Sequence, residues 1–260
     1  MRQHRERSRV ARDDLPPPSV SGDMSSAIPI VFIPALFCDE AMYAALIAEL
    51  GASHRTHVLV GRGRTVAESV AAILGSSPER FVLVGSSYGG IIATELALAA
   101  PGRVAALCLA GVDPGAPNVE QSQGFATLVE GSTEAAIAHL ASLVVRPDAT
   151  AAARTFREMA ARIGGVAAAA GIRALGARAS AWERLGELTM PALIIWGADD
   201  ALFPLAVGER LAAMLPHARL EVIAGSGHLP MLEAPHAAAA IMERWMSIDV
   251  QASVDFPRTS

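Results

Sequence analysis

Phe81-Val82-Leu83-Val84-Gly85-Ser86-Ser87-Tyr88-Gly89-Gly90-Ile91-Ile92-Ala93-Thr94 is the stretch whose reading decides the fold. Its first four residues are apolar and half of them β-branched, which suits a buried strand. The run from Ile91 to Ala97 reads as a helix, so the chain must turn from strand into helix within Gly85-Ser86-Ser87-Tyr88-Gly89. A reversal this sharp puts Ser87 in a strained backbone conformation, and Gly85 and Gly89 must lack Cβ atoms for strand and helix to pass closely. The helix that starts there points its N-terminus at Ser87 and favours any negative charge that develops on it. Ser86 is the neighbouring hydroxyl, with its side chain expected to point away from the exposed tip.

Outward from this turn the same alternation repeats. Ile30 to Ile33, Thr56 to Val60, Val104 to Leu109, Leu193 to Trp196 and Leu220 to Ile223 all have strand length, and helix-like segments lie near 40–50, 65–76, 88–100, 204–215 and 235–247. Continuous apolar runs suit parallel strands covered on both faces, and βα units with right-handed crossovers build a doubly wound α/β sheet. The expectation is a mostly parallel sheet of about six strands. Residues 115–185 break the rhythm, being Ala-rich with scattered Arg and Glu, and read as a helical insertion. It leaves the carboxyl edge of the sheet, where ligands bind in open α/β folds, so it is placed to act as a cap or lid. The expected organisation is a tail over 1–25, a core over 26–114 and 186–248, the cap over 115–185, and a second tail over 249–260.

Composition excludes whole chemistries. All 21 basic residues are arginine, so a Walker A loop, a pyridoxal Schiff base and a Ser-Lys dyad, each of which needs a lysine amine, are ruled out. The net charge is −5, while residues 1–12 carry five Arg against one Glu. The remainder is therefore strongly acidic, which argues against nucleic acid as the main partner. No apolar run approaches the roughly 20 residues of a membrane span, and residues 1–23 lack the apolar stretch of a secretory signal. Cys38 and Cys108 have no CxxC spacing and read as buried free thiols in a reducing compartment. A cytoplasmic location is the expectation.

A serine hydroxyl needs a base within hydrogen-bond reach. Of seven histidines, His4 is in the tail, His54 and His57 flank a strand start at the opposite edge, His139 is in the insertion, and His217 and His236 suggest surface positions. His228 sits in Gly225-Ser226-Gly227-His228-Leu229-Pro230, a Gly-rich loop after the last strand that can reach the carboxyl edge. The imidazole in turn needs a carboxylate to fix its tautomer. Gly197-Ala198-Asp199-Asp200 closes a strand, and Asp200 is preferred to Asp199, which is read as a turn cap or a solvated residue. Asp113, before Pro114, is read as a turn residue. An oxyanion needs backbone donors. The N–H of Tyr88 is one, and the N–H of Leu36, in the loop after the first strand, is the other. Phe37, Tyr43, Phe125, Phe156 and Trp182 are candidates to line an apolar acyl pocket, although core packing would account for each of them singly.

The order Ser87, Asp200, His228, each at a strand end, resembles the α/β-hydrolase superfamily. The resemblance rests on Gly85-Ser86-Ser87-Tyr88-Gly89, on Gly197-x-x-Asp200-x-x-x-Pro204, and on Gly227-His228 followed by Leu229-Pro230-Met231-Leu232-Glu233-Ala234-Pro235, and it covers about residues 28–247. The closest likeness is to bacterial single-domain carboxylic-ester hydrolases with a short helical cap. Two features depart from the pattern. Pro34-Ala35 stands where such proteins usually have His-Gly, which puts a Cβ at the tight position of the oxyanion loop. The sheet also starts late, without the usual preceding hairpin.

The resemblance implies a cofactor-free, metal-free serine hydrolase acting on a small-molecule acyl substrate: a small to medium ester, lactone or thioester. Carbon–carbon bond hydrolysis and perhydrolase chemistry remain open on the same scaffold. So do a receptor-like or slow-turnover protein that keeps the pocket, and a cofactor-independent oxygenase.

Overall fold

A computed structural model describes residues 28–250 of the chain. The expected tail over 1–25 and all but the first two residues of the one over 249–260 lie outside the described residues. The chain runs through β1 (Ile30–Ile33), α1 (Ala44–Leu50), β2 (Thr56–Val58), α2 (Val66–Ser76), β3 (Phe81–Ser86), α3 (Tyr88–Ala99) and β4 (Val104–Ala110). Three helices follow without an intervening strand: α4 (Val119–Gly131), α5 (Thr133–Val144) and α6 (Thr150–Gly176). Then come β5 (Ala192–Gly197), α7 (Leu205–Met214), β6 (Ala218–Ile223), α8 (Pro230–Glu233) and α9 (Pro235–Trp245).

The six strands form one sheet, all pairs parallel, in the order β2-β1-β3-β4-β5-β6. The central strands β1, β3, β4 and β5 are buried at every residue, as continuous apolar runs require when both faces are covered. Expecting such cover for all strands was too broad. β2 and β6 are the edges, and Val222 on β6 is 43% exposed. One core cluster packs β1 and β3 residues such as Phe32 and Val84 against Leu46 of α1 and Met242 of α9. The other packs Ile33 and Leu83 against α2, α3 and α7. The core extends past residue 248, since Val250 is buried.

From β1 the chain crosses outward to β2, then returns to place β3 on the other side of β1. The order therefore reverses between β1 and β3, and the crevice beyond their carboxyl ends is where an open α/β sheet binds ligands. The loop after β1 and the turn from β3 into α3 flank that crevice. The strand-free segment emerges beyond β4, as the residue pattern implied, and α6 is broken at Gly164, whose φ of 76° and ψ of 161° lie outside helical values.

Candidate active site

Ser87 links β3 to α3 with φ 52° and ψ −117°, a left-handed conformation that a non-glycine residue adopts only when its surroundings enforce it. Three contacts do so. The Ser87 N–H donates to Ala110 O at the end of β4 (2.8 Å), while Ser87 O accepts from Gly90 N (2.9 Å) and Ile91 N (3.1 Å). The flanking glycines are sterically required, because a Cβ on Gly89 would stand 2.1 Å from Ile33 O and one on Gly85 would stand 2.5 Å from Gly89 O. Ser86 is fully buried, away from the tip.

His228 follows β6 in a loop that carries its ring back over the sheet edge. Its Nε2 lies 3.0 Å from Ser87 Oγ and its Nδ1 lies 2.9 Å from Asp200 Oδ2. The side chains of His228 and Asp200 are each 1% exposed. Asp200 Oδ1 accepts from the N–H groups of Leu202 (2.8 Å) and Phe203 (3.0 Å). The carboxylate is thus fixed on one oxygen by backbone donors and presents the other to the imidazole, which sets the tautomer with the proton on Nδ1 and leaves Nε2 to accept from serine. Phe203 meets the imidazole edge-on, with centroids 5.3 Å apart.

The histidine loop has supports of its own that the residue pattern did not reveal. Glu233 accepts from Gly227 N with Oε1 and from Arg146 N with Oε2, both at 3.1 Å. Burial raises the Glu233 carboxyl above its ordinary range, and these N–H bonds offset only part of that. Arg146, between α5 and α6, also pairs with Asp199 at 2.9 Å. Asp199 is therefore half exposed, engaged by Arg146 and not directed at the imidazole. Asp113 accepts from Gly115 N at 2.8 Å, as its reading as a turn residue implies.

The N–H groups of Leu36 and Tyr88, expected as oxyanion donors, hold no acceptor among the described residues. The backbone strain in the loop after β1 falls at Phe37, with φ 63°, rather than at Pro34-Ala35. The loop closes through Cys38 N donating to Ala35 O (3.1 Å). Asp39 anchors its far end, with Arg162 of α6 forked across the carboxylate at 2.7 and 3.1 Å. Burial alone would raise the Asp39 carboxyl, but the Arg162 bonds and the Ala41 N–H outweigh it and hold it below the usual range.

Above Ser87 and His228 is a cavity of about 310 Å³ walled by Phe37, Phe125, Phe156, Phe203, Leu229 and Leu36. Phe37, Phe125 and Phe156 were expected there. Trp182 and Tyr43 are not part of it. Trp182 packs beneath the Arg210 guanidinium, 4.1 Å from the ring centre, on the other face of the sheet. Tyr43 is fully buried under β1, where its hydroxyl donates to Ile33 O. The pattern missed Phe203 and Leu229, although their places, three residues after Asp200 and one after His228, were a usable signal.

The match to known proteins agrees with this geometry. Residues 30–241 fit the model of the alpha/beta hydrolase family. The chain belongs to that family. Among its relatives, this alpha/beta hydrolase is 33% identical over 173 residues to a 2-hydroxy-6-oxononadienedioate/2-hydroxy-6-oxononatrienedioate hydrolase of Cupriavidus pinatubonensis, covering 62% of the chain but only 59% of that protein. It is 32% identical over 213 residues to a pimeloyl-[acyl-carrier protein] methyl ester esterase of Aromatoleum aromaticum, covering 73% of the chain and 85% of the relative. A thermophilic esterase from Thermogutta terrifontis superposes with a TM-score of 0.77 over 85% of this chain and 90% of its own, at 21% identity, which speaks for the fold alone.

Proposed function

We propose that this alpha/beta hydrolase cleaves a small to medium carboxylic ester through an acyl-enzyme on Ser87. The observation that carries the reading is the unbroken series Ser87 Oγ to His228 Nε2 (3.0 Å) and His228 Nδ1 to Asp200 Oδ2 (2.9 Å) at the floor of an apolar cavity. In this mechanism His228 takes the Ser87 proton as Oγ attacks the acyl carbonyl. Asp200 holds the ring and stabilises the imidazolium. The tetrahedral oxygen is received by the Leu36 and Tyr88 N–H groups, at the N-terminus of α3. His228 then protonates the leaving alcohol, and the alcohol departs. Water adds to the acyl-enzyme with His228 again as base, which releases the acid and restores Ser87.

The apolar cavity walls suit a hydrocarbon acyl chain, and α4 to α6 act as a lid over it, since Phe125 and Phe156 from these helices close the cavity from above. Two buried free thiols, Cys38 and Cys108, support a cytoplasmic location. Burial drives both thiols far above their ordinary range, so neither competes with Ser87 as nucleophile.

The test is steady turnover across a panel of esters, lactones and thioesters, with a 2-hydroxy-6-oxo-dienedioate added because the Cupriavidus relative is named for such a substrate. Preferred turnover of an ester, lost in Ser87→Ala, is the expected result. Preference for the dienedioate would replace the ester reading, and stoichiometric binding with no turnover on any member would favour a receptor-like role.

A further inference from the structure

A second cleft, of about 170 Å³, lies behind the oxyanion loop and shares the wall Ala35-Leu36-Phe37 with the cavity at Ser87. Unlike that cavity it carries cations. Arg62 lines it, exposed and without a hydrogen bond to any carboxylate among the described residues. Arg62 is flanked by Gly61 and Gly63, and neither has room for a side chain. A Cβ at Gly61 would meet Ile92 Cδ1 at 2.3 Å and one at Gly63 would meet Ser69 N at 2.5 Å. The backbone on both sides of Arg62 is therefore pressed onto α2 and α3, which fixes where the guanidinium stem leaves the surface.

An independent feature points to a ligand in the same place. Tyr88 lines the cleft, is 4% exposed, and its hydroxyl makes no hydrogen bond among the described residues. Ser69 lies near it, but Ser69 Oγ accepts from Gly63 N (2.9 Å). A buried hydroxyl left without a partner calls for an explanation. Burial raises the phenol above its ordinary range, so it stays a donor. The ring passes Gly171 of α6, with Cε1 3.7 Å from where a Cβ would stand.

The charges around the cleft leave a place for an anion. Asp39 is occupied by the Arg162 fork, and Glu40 and Glu158 act on Arg162. Asp39 reaches Arg62 only at longer range. A guanidinium with its fork free and a neutral phenol are donors without an acceptor, which is the donor set that a carboxylate or phosphate takes.

We propose that this cleft is an anion subsite, in which Arg62 and the Tyr88 hydroxyl take the carboxylate or phosphate at the far end of an ester substrate bent around Leu36. The proposal rests on Ser87 being the acyl acceptor. It is tested by the ratio of kcat/KM for 4-nitrophenyl hydrogen adipate to that for 4-nitrophenyl hexanoate. Arg62→Gln lowers the ratio by about fivefold to tenfold, Arg62→Lys restores part of it, and added salt lowers it in the wild type. A second arm needs no turnover: calorimetric titration of glutarate and of inorganic phosphate into Ser87→Ala and into Ser87→Ala/Arg62→Gln. Binding that is lost with Arg62 supports the subsite, and the tighter ligand names the anion. A ratio unmoved by Arg62→Gln, or binding that is absent or indifferent to Arg62, overturns the proposal. Turnover retained by Ser87→Ala would instead overturn the acyl-enzyme reading.

Discussion

Gly89→Ala separates the site's geometry from helix propensity, because the two predict opposite signs. Gly89 is the second residue of α3, and an alanine inside a helix is ordinarily favoured over glycine by up to about 1 kcal/mol. At this position the new Cβ would lie 2.1 Å from Ile33 O and 2.4 Å from Pro34 O, where real Cβ contacts begin near 3.0 Å. The loop after β1 must then retreat from α3 by roughly an ångström, and it carries the Leu36 N–H with it. Misplacement of that size costs about a hundredfold in rate, and loss of one oxyanion donor costs about 10² to 10³ in kcat. We expect kcat on a 4-nitrophenyl ester to fall by about two powers of ten with KM little changed, and the thermal midpoint to fall as well. Gly75→Ala, near the end of α2 with nothing within 4 Å of its Cβ, is the control: it keeps kcat, and helix propensity raises its thermal midpoint. A folded Gly89→Ala protein with kcat within threefold of wild type would refute the reasoning.

Three further outcomes follow from the same contacts. Asp200→Asn removes the charge that stabilises the imidazolium and favours the wrong tautomer, so kcat falls by about 10³ to 10⁴; a loss under tenfold in stopped-flow assays contradicts it. Phe156→Ala empties a side chain that is 2% exposed, lowers unfolding free energy in urea by about 3–5 kcal/mol and shifts preference toward longer acyl chains; unchanged chain-length preference would show that Phe156 does not bound the substrate. Because the folded Asp39 carboxyl is held below its usual value of 3.8, its stabilising effect is present above that pH and is lost as pH falls through the folded value. The thermal midpoint of the wild type should therefore drop more steeply than that of Asp39→Asn on acidification from about pH 5 to 2, and parallel curves would contradict the role given to the Arg162 fork.

Most of the fold was legible because the central strands are continuous apolar runs between helical stretches, so that Ile30–Ile33 was read to the residue and β3 to within two. Ser87 could be read because a strand, a serine between two glycines, and a helix follow one another with no space for anything but a sharp turn. Asp199 and Asp200 were harder to separate. Adjacent carboxylates differ only in which way the turn points them, and that is settled by contacts distant in sequence: Asp199 N donates to Ser226 O and its side chain meets Arg146.

Trp182 illustrates the other limit. An aromatic residue in a helical insertion reads as a pocket candidate, but the side of the sheet it reaches depends on where the chain re-enters after α6. The position of strain in the loop after β1 was also hidden, because Pro34-Ala35 marks a departure in composition while the left-handed residue is Phe37. Arg146 and Glu233 meet across 87 residues of sequence, so no local pattern reveals that contact.

The measurement closest to the central claim is mass spectrometry of the enzyme quenched in acid during turnover of a slow ester. One acyl group per chain is expected, on the peptide that carries Ser87, and none in Ser87→Ala. An acyl group on any other residue, or turnover of the ester with Ser87 never modified, would contradict it.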